Sequence, residues 1–250
     1  TDAIVRIFNK LVEVYPEEPH FTAHLARFYF YIDKNYEKGF RNIDSAIELS
    51  ETEMGHVDPL LYHMKAMGYS SRITNIYRRD ILWNFKDNPQ YDTSELREKI
   101  QEDAESAFKY FKIVRDSNIG VAGHVSEINL CIQIAYLAKN MLDETDNFTE
   151  YLTSDKGKWA MQYIDRAETL WDECKQLISD SAYEDLDGIE ERLHSLTVSV
   201  EDSIDIWKKY IENAGNKNCT QARRILARSY LKVAEQTKDS ENKKTLYTKV

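Results

Sequence analysis

The chain has 250 residues, a formal net charge of −10, 42% hydrophobic and 30% charged residues, and only 8 glycines and 4 prolines. So acidic a balance excludes a broad nucleic-acid surface, because phosphate binding draws on Lys and Arg, and so few turn-forming residues predict long helices. Cys131, Cys174 and Cys219 lie too far apart for a disulfide framework or a metal-binding pair and read as reduced, buried thiols.

The predicted elements begin with Ile4, Ile7, Phe8, Leu11 and Tyr15, which recur at helical spacing and stop at Pro16-Glu17-Glu18-Pro19. A repeat's second helix ends in this way, so the chain reads as starting in mid-repeat, a piece of a larger protein. Thr22 to Leu49 then holds a helix pair. Asp58-Pro59 caps and starts a helix through Leu61, Met64, Met67, Ile73 and Ile76 toward Trp83. Asp87-Asn88-Pro89 breaks the pattern. Thr93 or Ser94 caps a helix bearing Leu96, Ile100, Ala104, Phe108 and Phe111.

After a joint at Asn118 to Gly123, Val125, Ile128, Ile132 and Leu142 mark another helix. An acidic loop, Asp143 to Asp155, separates it from one carrying Trp159, Tyr163, Ala167 and Trp171. Ile189, Leu193, Leu196, Val200, Ile204, Trp207 and Ile211 draw one apolar stripe down a single helix of roughly 35 Å. Ala214-Gly215-Asn216 ends it, Ala222 to Val233 forms one more, and Asn242 to Val250 opens a further segment. No stretch alternates with period two, so no strand is predicted. The expectation is an all-α chain of about nine helices, arranged as a TPR-like α-α superhelix of antiparallel pairs over residues 1–250. Its clearest unit is 20–51, with degenerate repeats at 58–142 and 155–250.

That clearest unit, with Leu25-Ala26 and Tyr29 on a first helix and Tyr36, Gly39, Ile43 and Ala46 on a second, resembles the tetratricopeptide pattern. Small residues sit where two helices approach and large ones fill the gaps. His24 to Tyr29, Tyr36 to Leu49 and Tyr62 to Tyr69 together resemble the helical-repeat region of STAND-type P-loop NTPases. That group includes bacterial antiphage sensors and vertebrate antiviral proteins with a sterile-alpha-motif domain. The resemblance runs from about Phe21 to Leu142 and implies the C-terminal sensor repeats of such a protein. The chain has no Walker A GxxxxGK[ST], so NTPase activity does not carry over to it.

Chemistry is sparse. His20 and His24 are spaced as metal ligands sometimes are but lack a third ligand, and His124 with Glu127 lacks a nucleophile, so no enzyme activity, metal or cofactor is expected. Lys65, Arg72, Arg78, Arg79 and Lys86 surround one helix, with Tyr69, Tyr77 and Trp83 interleaved. Such a set binds an acidic segment, a nucleotide or single-stranded nucleic acid, or else pairs with carboxylates of neighbouring helices. Phe28 to Tyr31 is an aromatic run that covers more than one helix face. First-helix residues facing away from the neighbouring repeats line a concave surface, so His24, Arg27 and Tyr31 are candidates to meet a partner or, alternatively, pack on the preceding repeat. The expected function is a protein-interaction or ligand-sensing scaffold, cytoplasmic and without a membrane partner. Its protein or peptide partner would be met by His24, Arg27, Tyr31, Lys65, Arg72 and Arg79, side chains that stability does not require. The alternative is a nucleic-acid-binding repeat using the Arg-rich helix over 65–86.

Overall fold

The structure is a computed structural model that describes residues 2–81, 83, 92–117, 120–142, 147–178, 186, 188–214, 219–237 and 245. Among these residues every regular element is a helix. The order is α1 (Asp2–Val14), α2 (Pro19–Phe28), α3 (Tyr36–Met54), α4 (Pro59–Arg72), α5 (Ser94–Asp116), α6 (Ala122–Asn140), α7 (Phe148–Thr153), α8 (Lys158–Leu177), α9 (Ile189–Thr197), α10 (Val200–Asn213) and α11 (Thr220–Gln236). Two helices widen into π turns at their C-terminal ends. In α2 the turn is Tyr29–Asp33; in α4 it is Ile73–Tyr77, followed by one more α turn at Arg78–Asp80.

The helices start and stop where local chemistry dictates. Glu18 caps α2 by accepting the amide N–H of His20, with Pro19 in the first turn, where its missing N–H costs nothing. Asn35 and Asp58 cap α3 and α4 in the same way. Gly55 closes α3 at φ 70°, a left-handed conformation that suits glycine.

The described residues form eleven helices where about nine are predicted, for two reasons. The acidic stretch after Leu142 is not all loop. Asn147 accepts the N–H of Thr149 and starts α7, which buries Phe148 and Leu152. The predicted single helix from Ile189 to Ile211 is two helices, because Val198 is extended and Ser199 caps a new start. Ser199 Oγ accepts the Asp202 N–H at 3.0 Å and donates to the Asp202 carboxylate at 2.8 Å. The apolar stripe survives the break, since Ile189, Leu193, Leu196, Ile204 and Trp207 are all buried.

Packing follows chain order. The main pairings are α2 on α3, α4 on α5, α6 on α8 and α10 on α11; the first members of the first three pairs also touch, α2 with α4 and α4 with α6, and α6 further meets α9. Three apolar clusters result. One, around Phe30, Ile43 and Leu61, ties α2, α3 and α4; the largest runs from Ala66 to Leu196; the third joins Trp207, Cys219 and Ala222. Of the tetratricopeptide-like positions, Leu25, Ala26, Tyr36, Gly39, Ile43 and Ala46 are buried and Tyr29 is half-buried. No helix among the described residues is long and apolar enough to cross a membrane. Asp87-Asn88-Pro89, Gly215-Asn216 and, apart from Thr245, the segment from Asn242 to Val250 lie outside the described residues.

Candidate functional site

The joint between the first two helix pairs is built on Phe30. Its ring is wholly buried and lies between two glycines, Gly39 of α3 and Gly68 of α4, so that a methyl group at either position would collide with it. The π turn places the ring there. Phe28 and Phe30 are two residues apart and both buried, so the chain here is covered on more than one side. The carbonyl of Phe30 accepts a hydrogen bond from Ser71 Oγ at 3.1 Å, and Tyr36 donates its hydroxyl to the Ser71 carbonyl at 3.0 Å. Asn75 Nδ2 adds a bond to that same carbonyl at 2.7 Å. Burial holds the Tyr36 pKa above its usual value, against the pull of its Ser71 and Asn75 bonds and of Arg72 and Arg79 nearby.

Beside this joint stands Asp103 of α5, whose side chain is 7% exposed. Arg72 grips it with two guanidinium edges, Nε donating to Oδ2 at 2.6 Å and Nη2 meeting Oδ1. Tyr77 donates to Oδ2 at 3.0 Å, and burial together with the Asp103 charge pushes the Tyr77 pKa up to about 12. Burial alone would weaken the Arg72 cation, but the Asp103 bond outweighs it. Arg72 also covers the rings of Phe40 and Tyr69. From there half-buried aromatics continue as a row. Phe40 lies 4.3 Å from Tyr69, and Tyr110 stacks on both Tyr69 and Tyr62.

The six expected contact residues divide. Arg27 is exposed, and Tyr31, half-buried, lies near both Arg27 and Tyr36; Arg72 and Arg79 lie near Tyr36 as well, so these four share the joint. Arg79 stands 5.9 Å from the centroid of the exposed Trp83 ring. His24 faces the other way and stacks on Phe8 of α1, while His20 turns to Asp58, which separates that histidine pair. Lys65 pairs with Asp44 at 2.5 Å and sits over the Tyr110 ring. Lys65 and Arg72 thus each pair with a carboxylate on the adjoining helix, and of the two carboxylates Asp103 is the buried one.

A second charged centre has no precedent in the sequence pattern. Glu127 of α6 is 0% exposed and lies between two arginines, Arg115 of α5 and Arg166 of α8. Arg166 Nε donates to Oε1 at 2.7 Å, and its guanidinium lies 4.0 Å over Phe108. Arg115 Nη1 meets Oε2 as a charge contact without hydrogen-bond direction. His124, the other half of the expected acid–base pair, is buried with Nε2 3.8 Å from Glu173, and burial, then Arg115, lowers its pKa. Glu127 binds three helices together, and its partners among the described residues are the two arginines. Its role was not visible in the sequence, because Arg115 and Arg166 lie far from it along the chain.

No protein-family model, curated protein or solved structure matches the chain.

Proposed function

We propose that the chain is a tetratricopeptide-like superhelix acting as an interaction scaffold, which binds an acidic segment of a protein or peptide partner at the joint of α2, α3 and α4. One observation carries this reading. Arg27 and Arg79 are exposed beside a rigid, hydrogen-bonded joint, and no carboxylate among the described residues pairs with either, in a chain whose net charge is −10. Exposed cations without a carboxylate partner among the described residues, next to Tyr31 and Trp83, suit an acidic ligand with an apolar anchor. The packing of first helices on one another supports the superhelix. The wider setting, the sensor repeats of a cytoplasmic STAND-like antiviral protein, rests on the resemblance from Phe21 to Leu142. A P-loop in the parent chain would support it.

The test is fluorescence anisotropy with a labelled polyglutamate peptide bearing one tryptophan and, in parallel, a labelled single-stranded oligonucleotide. Peptide binding that Arg27→Ala and Arg79→Ala each abolish, at unchanged melting temperature, supports the reading. Tighter oligonucleotide binding that falls steeply with salt would replace it with the nucleic-acid alternative.

A further inference from the structure

Tyr62, Lys65, Tyr69 and Arg72 follow one another along α4 at spacings of three, four and three, so they share one face of the helix. α4 packs on both α3 and α5, and this face meets each of them. Tyr110 of α5 stacks on Tyr62 with ring centroids 5.9 Å apart and 14° between the planes, and on Tyr69 at 6.3 Å and 9°. Phe40 of α3 continues the row, 4.3 Å from Tyr69. All four residues are half-buried and so remain in contact with solvent.

The cations along the row are matched within the fold. Lys65 meets Asp44 of α3 at 2.5 Å, and Arg72 Nε donates to Asp103 of α5 at 2.6 Å. A charged ligand would have to displace one of these partners, so the face suits an uncharged one. The hydroxyls of Tyr62 and Tyr69, by contrast, have no hydrogen-bond partner among the described residues, which leaves them able to donate to a ligand's carbonyls. Lys109, exposed with its Nζ 5.6 Å from the Tyr110 ring centroid, adds an ammonium donor at the rim.

We propose that the aromatic row over α3, α4 and α5 is a docking surface for a proline-rich segment of a partner protein in the polyproline II conformation. Such a segment needs no counter-charge. Its prolines lack N–H groups, so it offers chiefly carbonyl acceptors, and its apolar rings are ordered before binding. One face of a polyproline helix recurs every three residues, about 9 Å. Tyr62 and Tyr69, seven residues apart, are separated by about 10 Å along α4, so prolines at P-x-x-P spacing match the two ends of the tyrosine row. The chain's own Pro16-Glu17-Glu18-Pro19 has this spacing, but Pro19 is buried in the first turn of α2. The ligand therefore comes from another protein.

Fluorescence anisotropy of the full chain with a labelled decaproline peptide tests this, against a Gly-Ser peptide of equal length and a labelled oligothymidylate. Decaproline should bind with a Kd that changes less than about threefold between about 0.05 and 0.5 M salt. Tyr62→Leu and Tyr110→Leu should each weaken it about tenfold. Tyr62→Phe keeps the ring and its stacking and should weaken it about threefold through the lost hydroxyl, and it decides alone where a leucine variant does not fold. The polyglutamate peptide should not displace decaproline, because the row and the Arg27 and Arg79 joint use different side chains; either reading can fail without the other. Absence of decaproline binding at millimolar peptide, equal binding of the Gly-Ser peptide, undiminished binding in Tyr62→Phe, tighter binding of the oligothymidylate, or displacement by polyglutamate overturns the proposal.

Discussion

Phe30 lies so close to Gly68 that a methyl group on the glycine would stand 2.6 Å from the ring's Cζ, and Gly39 blocks the ring's retreat on the other side. Alanine normally stabilises a helix interior by about 1 kcal/mol over glycine. Here the trapped ring reverses the sign. Gly68→Ala should lower stability by up to about 2 kcal/mol once overpacking of about 1 to 3 kcal/mol is set against that gain. Phe30→Ala should cost about 3 to 5 kcal/mol through the cavity it leaves. Urea denaturation should also show that Phe30→Leu with Gly68→Ala costs less than the two single changes added together, because the smaller side chain admits the methyl.

Arg72→Ala leaves the Asp103 carboxylate buried beside Tyr77 alone. A fully buried pair broken from one side costs about 3 to 5 kcal/mol, and the 30% exposure of Arg72 places its loss lower, at about 2 to 3 kcal/mol. The double change Arg72→Leu with Asp103→Leu should be milder than Arg72→Ala. Additive losses in that cycle would show that the pair is not coupled.

Much of this was legible in the sequence, and the rest shows what a one-dimensional pattern omits. The spacing of Leu25, Ala26, Tyr36, Gly39, Ile43 and Ala46 marks the buried face of the first pair, because 3.6-residue periodicity maps directly onto burial. The break at Ser199 was hidden because the stripe stays in phase across it, although Ser199 and Asp202 carried a cap signal. The π turns left no trace in the apolar spacing, and Phe28 and Phe30 read only as part of an aromatic run. At the joint, the cations were visible as residues, but which of them were occupied was not, since Asp103 reaches Arg72 from the facing helix α5, 31 residues along the chain.

Glu127→Gln keeps the shape of the side chain and removes the charge that holds Arg115 and Arg166 together. Two guanidinium groups then meet without an anion, and with Arg166 39% exposed the loss should be about 2 to 3 kcal/mol. Thermal melts at matched ionic strength measure it. A change within about 0.5 kcal/mol would show that solvent rather than Glu127 neutralises the arginines.

His124 and His63 give the fold an acid-sensitive contribution. Burial lowers both pKa values from their ordinary 6.5, with Arg115 adding to the effect at His124. On acidification the unfolded chain binds protons at these groups before the folded one does. Stability is therefore retained above about pH 6.5 and falls below it, by up to about 1.4 kcal/mol per pH unit for each histidine, until the lowered folded values are reached. Melts between about pH 7.5 and 5.5 should show this decline. The double variant His63→Gln with His124→Gln should flatten it, and an undiminished slope would assign the acid sensitivity to other groups.

The three cysteines sit in different parts of the core: Cys131 on α6 and Cys174 on α8 within the large cluster, Cys219 before α11 in the small C-terminal one. All three are buried and free, and burial pushes the Cys131 thiol up to about 12. The protein thus carries its own reporters of partial opening. A thiol reagent added under native conditions reacts only as fast as each cluster exposes its sulfur, and separate labelling rates at Cys219 and Cys131 would show whether the C-terminal pair comes apart ahead of the rest.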